Sequence, residues 1–107
     1  MKVDFIKGNG LAPAVIQDYQ SGEAYMLGYM NEASLQKTYE TGFVHFWSRS
    51  RQKLWMKGEE SGNKLKVKEI YSDCDTDSLL IKVALIGHNV CHTGNKSCFF
   101  TKIGGEK

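Results

Sequence analysis

Proline occurs once and cysteine three times in a chain of 107 residues. With so little proline, no low-complexity segment and no internal repeat, neither a linker nor a solenoid is expected, and residues 1–107 read as one domain. No apolar run approaches the roughly 20 residues of a membrane span, and Met1 to Gly10 lacks the apolar centre of a signal peptide. A cytoplasmic protein without a membrane partner is expected. The odd number of thiols fits a reducing compartment, where cysteines serve as metal ligands or nucleophiles; one disulfide would strand the third. Strong charge of either sign is also missing. A net charge of +2 is too small for bulk attraction to nucleic acid or anionic lipid, although Lys and Arg gather between Arg49 and Lys68.

What is present is enough apolar material for a core, 41% of residues, arranged mainly in strand-like runs. Pro13 to Tyr19 and Ala24 to Met30 flank Gln20-Ser21-Gly22-Glu23 and read as a hairpin with Gly22 in its turn. A helix follows, with Asn31 as N-cap, Leu35 and Tyr39 on one face, and Gly42 at the left-handed C-terminal position. Phe43 to Trp47 is aromatic and β-branched and reads as a strand. Ser48 to Gly62 is polar, basic and punctuated by glycine, the composition of a functional loop. Lys64 to Ile70 alternates charged and apolar residues as a half-buried strand does. Leu79 to Ile86 is a continuous apolar strand, and Ser97 to Thr101 a short last one. The fold class expected is a β-rich α+β domain, a curved mixed or antiparallel sheet with one main helix.

The chemistry concentrates between Asp73 and Cys98, which hold every cysteine and three alternating carboxylates. If Asp73 to Asp77 continues the strand before it, Asp73, Asp75 and Asp77 share one face and Cys74 takes the other. Three carboxylates that close repel unless a cation neutralises them. The spacing opens like a calcium loop, but the required Gly and Glu positions hold Ser78 and Ala84, leaving a magnesium-like site or a solvated acidic turn. Cys91 and Cys98 lack the spacing of zinc ribbons and fingers but suit a small loop whose ends converge. With Cys74 they make three soft ligands and an open fourth position, the catalytic form of a zinc site. Two alternatives stay open: a closed site completed by His92 or His88, or three unrelated buried thiols.

A three-thiolate centre acidifies water weakly, so a nearby base is needed, and His92 beside Cys91 has the right chemistry. His45 and His88 receive no role. Ser48 to Lys53 with Trp55, Lys57, Glu59 and Ser61 offers guanidinium forks, hydroxyls and an indole suited to a phosphorylated nucleotide. An RNA-binding loop on a zinc-stabilised module, or a merely solvated segment, has the same composition.

Taken together, Ala14 to Asp18, Met26 to Asn31, Ser48-Arg49-Ser50-Arg51, Leu54-Trp55-Met56-Lys57-Gly58-Glu59 with Ser61-Gly62, Asp73-Cys74-Asp75-Thr76-Asp77, and Cys91-His92-Thr93-Gly94 with Ser97-Cys98-Phe99 closely resemble the phosphoribosyl-AMP cyclohydrolases of histidine biosynthesis. The resemblance runs through nearly the whole chain. It implies zinc on Cys74, Cys91 and Cys98 and magnesium on Asp73, Asp75 and Asp77. It also implies an intertwined homodimer in which Cys74 of one subunit joins Cys91 and Cys98 of the other. The implied reaction is hydrolytic opening of the N1–C6 bond of phosphoribosyl-AMP by zinc-activated water, with His92 as base and a carboxamide product. Arg49, Arg51, Trp55 and Lys57 are then the expected substrate contacts, and nucleic acid is not a partner. A monofunctional chain is expected, without the pyrophosphatase domain to which this activity is fused in some members. One departure falls at Asn95-Lys96, where relatives often carry two arginines.

Overall fold

The hairpin is where the pattern placed it. In the computed structural model, which describes residues 3–106, β1 (Ala12–Asp18) and β2 (Ala24–Met30) pair antiparallel from Ala12 opposite Met30 to Gln17 opposite Ala24. Gly22 turns the chain at φ +79°, a conformation open to glycine at little cost. Asp18 organises this turn. One oxygen of its carboxylate accepts the Ser21 and Gln20 amides at 2.8 and 3.1 Å, and the other accepts the Tyr25 hydroxyl at 3.1 Å.

The Ser21 amide, first among these donors, holds the Asp18 carboxyl below its ordinary range, and burial pushes the Tyr25 phenol up to about 12. A depressed carboxyl stabilises the fold above the unfolded value of about 3.9 and loses that stabilisation as pH falls through the lower folded value. Asp18→Ala should therefore cost about 1 to 2 kcal/mol at pH 7. Urea titrations of both proteins should show the gap closing below pH 4; a gap of constant size would mean that the carboxylate charge plays no part.

Helix α1 (Glu32–Thr41) starts on a reciprocal cap: Asn31 Oδ1 accepts the Ser34 amide at 2.8 Å while Ser34 Oγ accepts the Asn31 amide at 2.9 Å. Gly42 ends it at φ +79°. Leu35 is buried as expected, but Tyr39 is exposed; Ser34 and Thr38 are the other buried residues of the helix. Thr38 is held there by hydrogen bonds, donating to the Ser34 carbonyl at 2.8 Å and accepting the His45 amide at 2.9 Å.

Strands β5 (Lys64–Ser72) and β6 (Leu79–Ile86) pair antiparallel, and β6 runs parallel to β1, giving a mixed sheet in the order β2-β1-β6-β5. One face of this sheet, with Ala12, Ala14, Ile16, Leu65, Ile81 and Val83, meets Met30, Leu35, Val44 and Phe46 in the core. Val15 and its partner Leu27 point the other way and are exposed.

Two expectations fail. Ser48 to Gly62 is not one loop: β3 (His45–Ser48) and β4 (Lys53–Met56) form a separate two-stranded ribbon turned by Gln52 at φ +52°. The short Lys53 to Met56 run lies among basic and polar residues, so its strand character comes from pairing with β3 rather than from local periodicity. Ser97 to Thr101 forms no strand. The segment is tied by side chain and backbone instead, Ser97 Oγ donating to the Ala24 carbonyl at 2.6 Å and the Cys98 amide to the Tyr25 carbonyl at 2.8 Å.

No helix among the described residues is long and apolar enough to cross a membrane.

Candidate active site

The three aspartates converge, though not as a strand. β5 ends at Ser72, and residues 73–78 make a turn in which Thr76 takes φ +60° and the Asp73 amide donates to the Ser78 carbonyl at 3.0 Å. The cause is local competition: Asp73 Oδ1 accepts the Asp77 and Ser78 amides at 3.0 and 3.2 Å, and Oδ2 accepts the Ser78 hydroxyl at 2.8 Å. These bonds, the Ser78 hydroxyl foremost, hold the Asp73 carboxyl down at about 2. The turn brings one oxygen from each of Asp73, Asp75 and Asp77 within 4.8 Å of the others. Asp73 spends both oxygens on the turn, while the carboxylates of Asp75 and Asp77 accept no hydrogen bond among the described residues. Hard oxygen donors in this number suit a divalent cation that keeps part of its water.

The thiols divide two and one. Val90 donates to Lys96 O at 3.0 Å and Cys91 to Asn95 O at 3.1 Å, closing a tight loop through Gly94 at φ +95°. The loop brings Cys91 and Cys98 close enough for each thiol to shift the other's titration, in keeping with a small loop whose ends converge. Thr93 Oγ1 donates to Cys91 Sγ at 3.0 Å, which pulls the Cys91 thiol below its ordinary value. Cys98 is exposed as a residue, but its thiol is partly desolvated beside Cys91, and that pushes it up. The Lys57 cation acts on both thiols toward the thiolate. Cys74 is exposed on the acidic turn and does not join them: among the described residues the aspartates are the only three His, Cys, Asp or Glu side chains whose donor atoms converge.

His92, exposed, opens into a cleft of 410 Å3 that it shares with Arg51, Trp55, Lys57, Glu59 and Ser61. Three of the four expected substrate contacts therefore surround the expected base. Arg49 faces elsewhere. Its guanidinium lies over the Tyr29 ring at 4.1 Å, in a second cleft of 600 Å3 bounded by Gly28, Phe46, Ser48 and Ser50. Trp55 borders both clefts and packs on Phe46 with ring centroids 5.3 Å apart. Gly28 is required by this packing, since a Cβ there would lie 2.5 Å from the Phe46 ring. Tyr29 was missed by sequence reasoning because it reaches the site through β2 to β3 packing, which no local spacing records. Thr93 sat inside a recognised motif without an assigned task. Of the remaining histidines, His45 is buried and its Nδ1 donates to the Phe43 carbonyl at 2.8 Å, a packing role, while His88 is exposed.

Residues 26–100 match the family model for phosphoribosyl-AMP cyclohydrolase. A curated phosphoribosyl-AMP cyclohydrolase of Solibacter usitatus (strain Ellin6076) is 57% identical over 103 residues, covering 96% of this chain and 82% of that protein. One of Clostridium botulinum (strain 657 / Type Ba4) is 57% identical over 95% of this chain and 92% of the relative, and one of Desulfatibacillum aliphaticivorans 53% identical over 100% and 86%. These matches define an enzyme, a hydrolase acting on C–N bonds. The chain belongs to the phosphoribosyl-AMP cyclohydrolase family.

Proposed function

We propose that this protein hydrolyses phosphoribosyl-AMP in histidine biosynthesis, adding water at C6 of the N1-substituted adenine ring and breaking the N1–C6 bond to leave a carboxamide. The observation that carries this is the shared cleft: His92, next to Cys91 in the chain, faces Arg51, Trp55 and Lys57 across 410 Å3. A cation at N1 makes the ring electrophilic, so the protein's task is to hold the nucleotide and to remove a proton from the attacking water. His92 takes that proton. Arg51 and Lys57 bind phosphate, and Trp55 lies against a ring of the substrate. The substrate carries two phosphoribosyl groups, and the second cleft, which Trp55 also borders, offers Arg49, Ser48 and Ser50 to the other phosphate.

The donor sets fit two ions of different hardness. Cys91 and Cys98, near one another on one loop, with the first already biased toward thiolate by Thr93, are zinc ligands, and Cys74 of a second copy supplies the third. Zinc supplies a Lewis acid that eases the removal of a proton from water. Asp75 and Asp77, with Asp73 anchoring the turn, hold magnesium. Two features support a homodimer: Cys74 stands apart from its partner thiols within one chain, and the outward face of β1 and β2 exposes Val15 and Leu27 side by side.

Turnover of phosphoribosyl-AMP, followed by absorbance, tests the proposal with zinc-loaded protein, chelator-stripped protein and stripped protein given zinc again. Activity should vanish on stripping and return with zinc. Folded, zinc-loaded protein that turns over nothing in the presence of magnesium would refute the activity.

A further inference from the structure

The cleft around His92 has two walls from distant parts of the chain, Lys57 to Ser61 between β4 and β5, and His92 after β6. One side chain ties them. Asn63, half-buried just ahead of β5, accepts the His88 amide on Oδ1 at 3.0 Å and donates from Nδ2 to Asn89 Oδ1 at 3.2 Å. Asn89 Nδ2 in turn donates to the Cys91 carbonyl at 3.1 Å. Both ends of this chain of bonds have fixed polarity, since a backbone amide only donates and a carbonyl only accepts, so neither amide can be turned over without breaking a bond. The surroundings are built for it: a Cβ on Gly87 (φ +123°) would strike the Asn63 side chain, and one on Gly58 (φ +85°) would strike the Asn63 carbonyl. The first wall is closed on itself by the Gly62 amide, which donates to the Gly58 carbonyl at 2.8 Å.

We propose that Asn63 is a positioning residue for the reaction, acting through Asn89 on the Cys91 carbonyl and so fixing where the Cys91-His92 segment stands relative to Lys57. Its effect on turnover rests on the function proposed above; the relay itself does not. A donor–acceptor chain of this kind sets geometry that packing alone leaves loose, and outer partners of a reacting group commonly contribute about ten- to a hundredfold in activity or metal affinity.

Asn63→Asp separates positioning from space-filling. It keeps the shape and the bond to the His88 amide but offers Asn89 only an acceptor. Asn89 must then turn its own donor toward the introduced carboxylate, leaving the Cys91 carbonyl with the Gly94 amide, at 3.0 Å, in place of two donors. Asn63→Asp, Asn63→Ala and Asn89→Ala should each lower kcat for phosphoribosyl-AMP about tenfold or more, with KM changed less than about threefold. The Asn63→Ala/Asn89→Ala double variant should be no worse than the poorer single one, because both break the same chain. Independently of activity, amide hydrogen exchange at Cys91 and Gly94 should quicken about tenfold in Asn63→Asp while the β1 and β6 amides keep their wild-type rates. Unchanged exchange at Cys91 and Gly94, wild-type kcat in Asn63→Asp, or losses that multiply in the double variant would each overturn the relay. A wild-type protein without turnover would sink the proposed function alone, and the exchange data would still decide the relay.

Discussion

His92→Ala should keep its zinc and its fold while losing about a hundred- to ten-thousandfold in turnover, the range for removal of a positioned acid–base group. The imidazole is exposed in the cleft and makes no hydrogen bond with any described residue, so its loss should change stability by no more than about 0.5 kcal/mol. Cys91→Ala should behave differently. That residue is buried, its thiol accepts the Thr93 hydroxyl and lies near Cys98, and its removal should abolish both zinc retention and turnover. Metal content after gel filtration and the steady-state rate, measured on the same preparations, distinguish the two variants. A His92→Ala protein that turns over at the wild-type rate would remove the residue from the mechanism, and one that has lost zinc would make it a ligand instead of a base.

The sequence already contained most of the sheet and the helix caps. Alternation along Lys64 to Ile70, the apolar run of Leu79 to Ile86, Gly22 between two apolar segments and the Asn31 to Gly42 pair are local signals, and each landed within a residue or two of the observed element. The failures share one cause, which is dependence on distant partners. Lys53 to Met56 becomes β4 only because β3 lies beside it, and Ser97 to Thr101, though rich in strand-forming residues, finds the Ala24 and Tyr25 carbonyls instead of a strand edge. The acidic stretch failed in an instructive way. Alternation would put the carboxylates on one face of an extended strand, but Asp73 prefers to accept the amides of Asp77 and Ser78, and this turn gathers the same three side chains by another route.

The site was legible as a set of residues but only partly as an arrangement. Arg49 and Arg51 are two apart and look equivalent, yet the ribbon turn sends Arg49 to the Tyr29 ring and Arg51 to the His92 cleft. Position in a turn cannot be read from composition. The brace through Asn63 and Asn89 is invisible for the same reason, since the two residues are 26 positions apart and neither belongs to a periodic pattern.

Two inactive proteins should restore activity to one another. In a two-fold dimer whose zinc sites each take Cys74 from one subunit and Cys91 with Cys98 from the other, Cys74→Ala damages both sites of its homodimer, and Cys91→Ala damages both of its own. A hybrid of the two gathers both lesions into one site and leaves the other intact. Random exchange of equal amounts gives hybrids in half the dimers, each with one of two sites working, so about a quarter of wild-type turnover and zinc content should reappear. Cys91→Ala mixed with Cys98→Ala provides the control, because in that hybrid each site carries one lesion and activity should stay lost. The contrast follows from the position of Cys74, exposed on the acidic turn and apart from the neighbouring Cys91 and Cys98. Co-expression with two affinity tags isolates the hybrid directly, which should then show half of wild-type turnover per dimer. Silence in a purified, zinc-supplied hybrid would place all three thiols of each site on one subunit, whereas a Cys74→Ala homodimer that turns over by itself would remove Cys74 from the site.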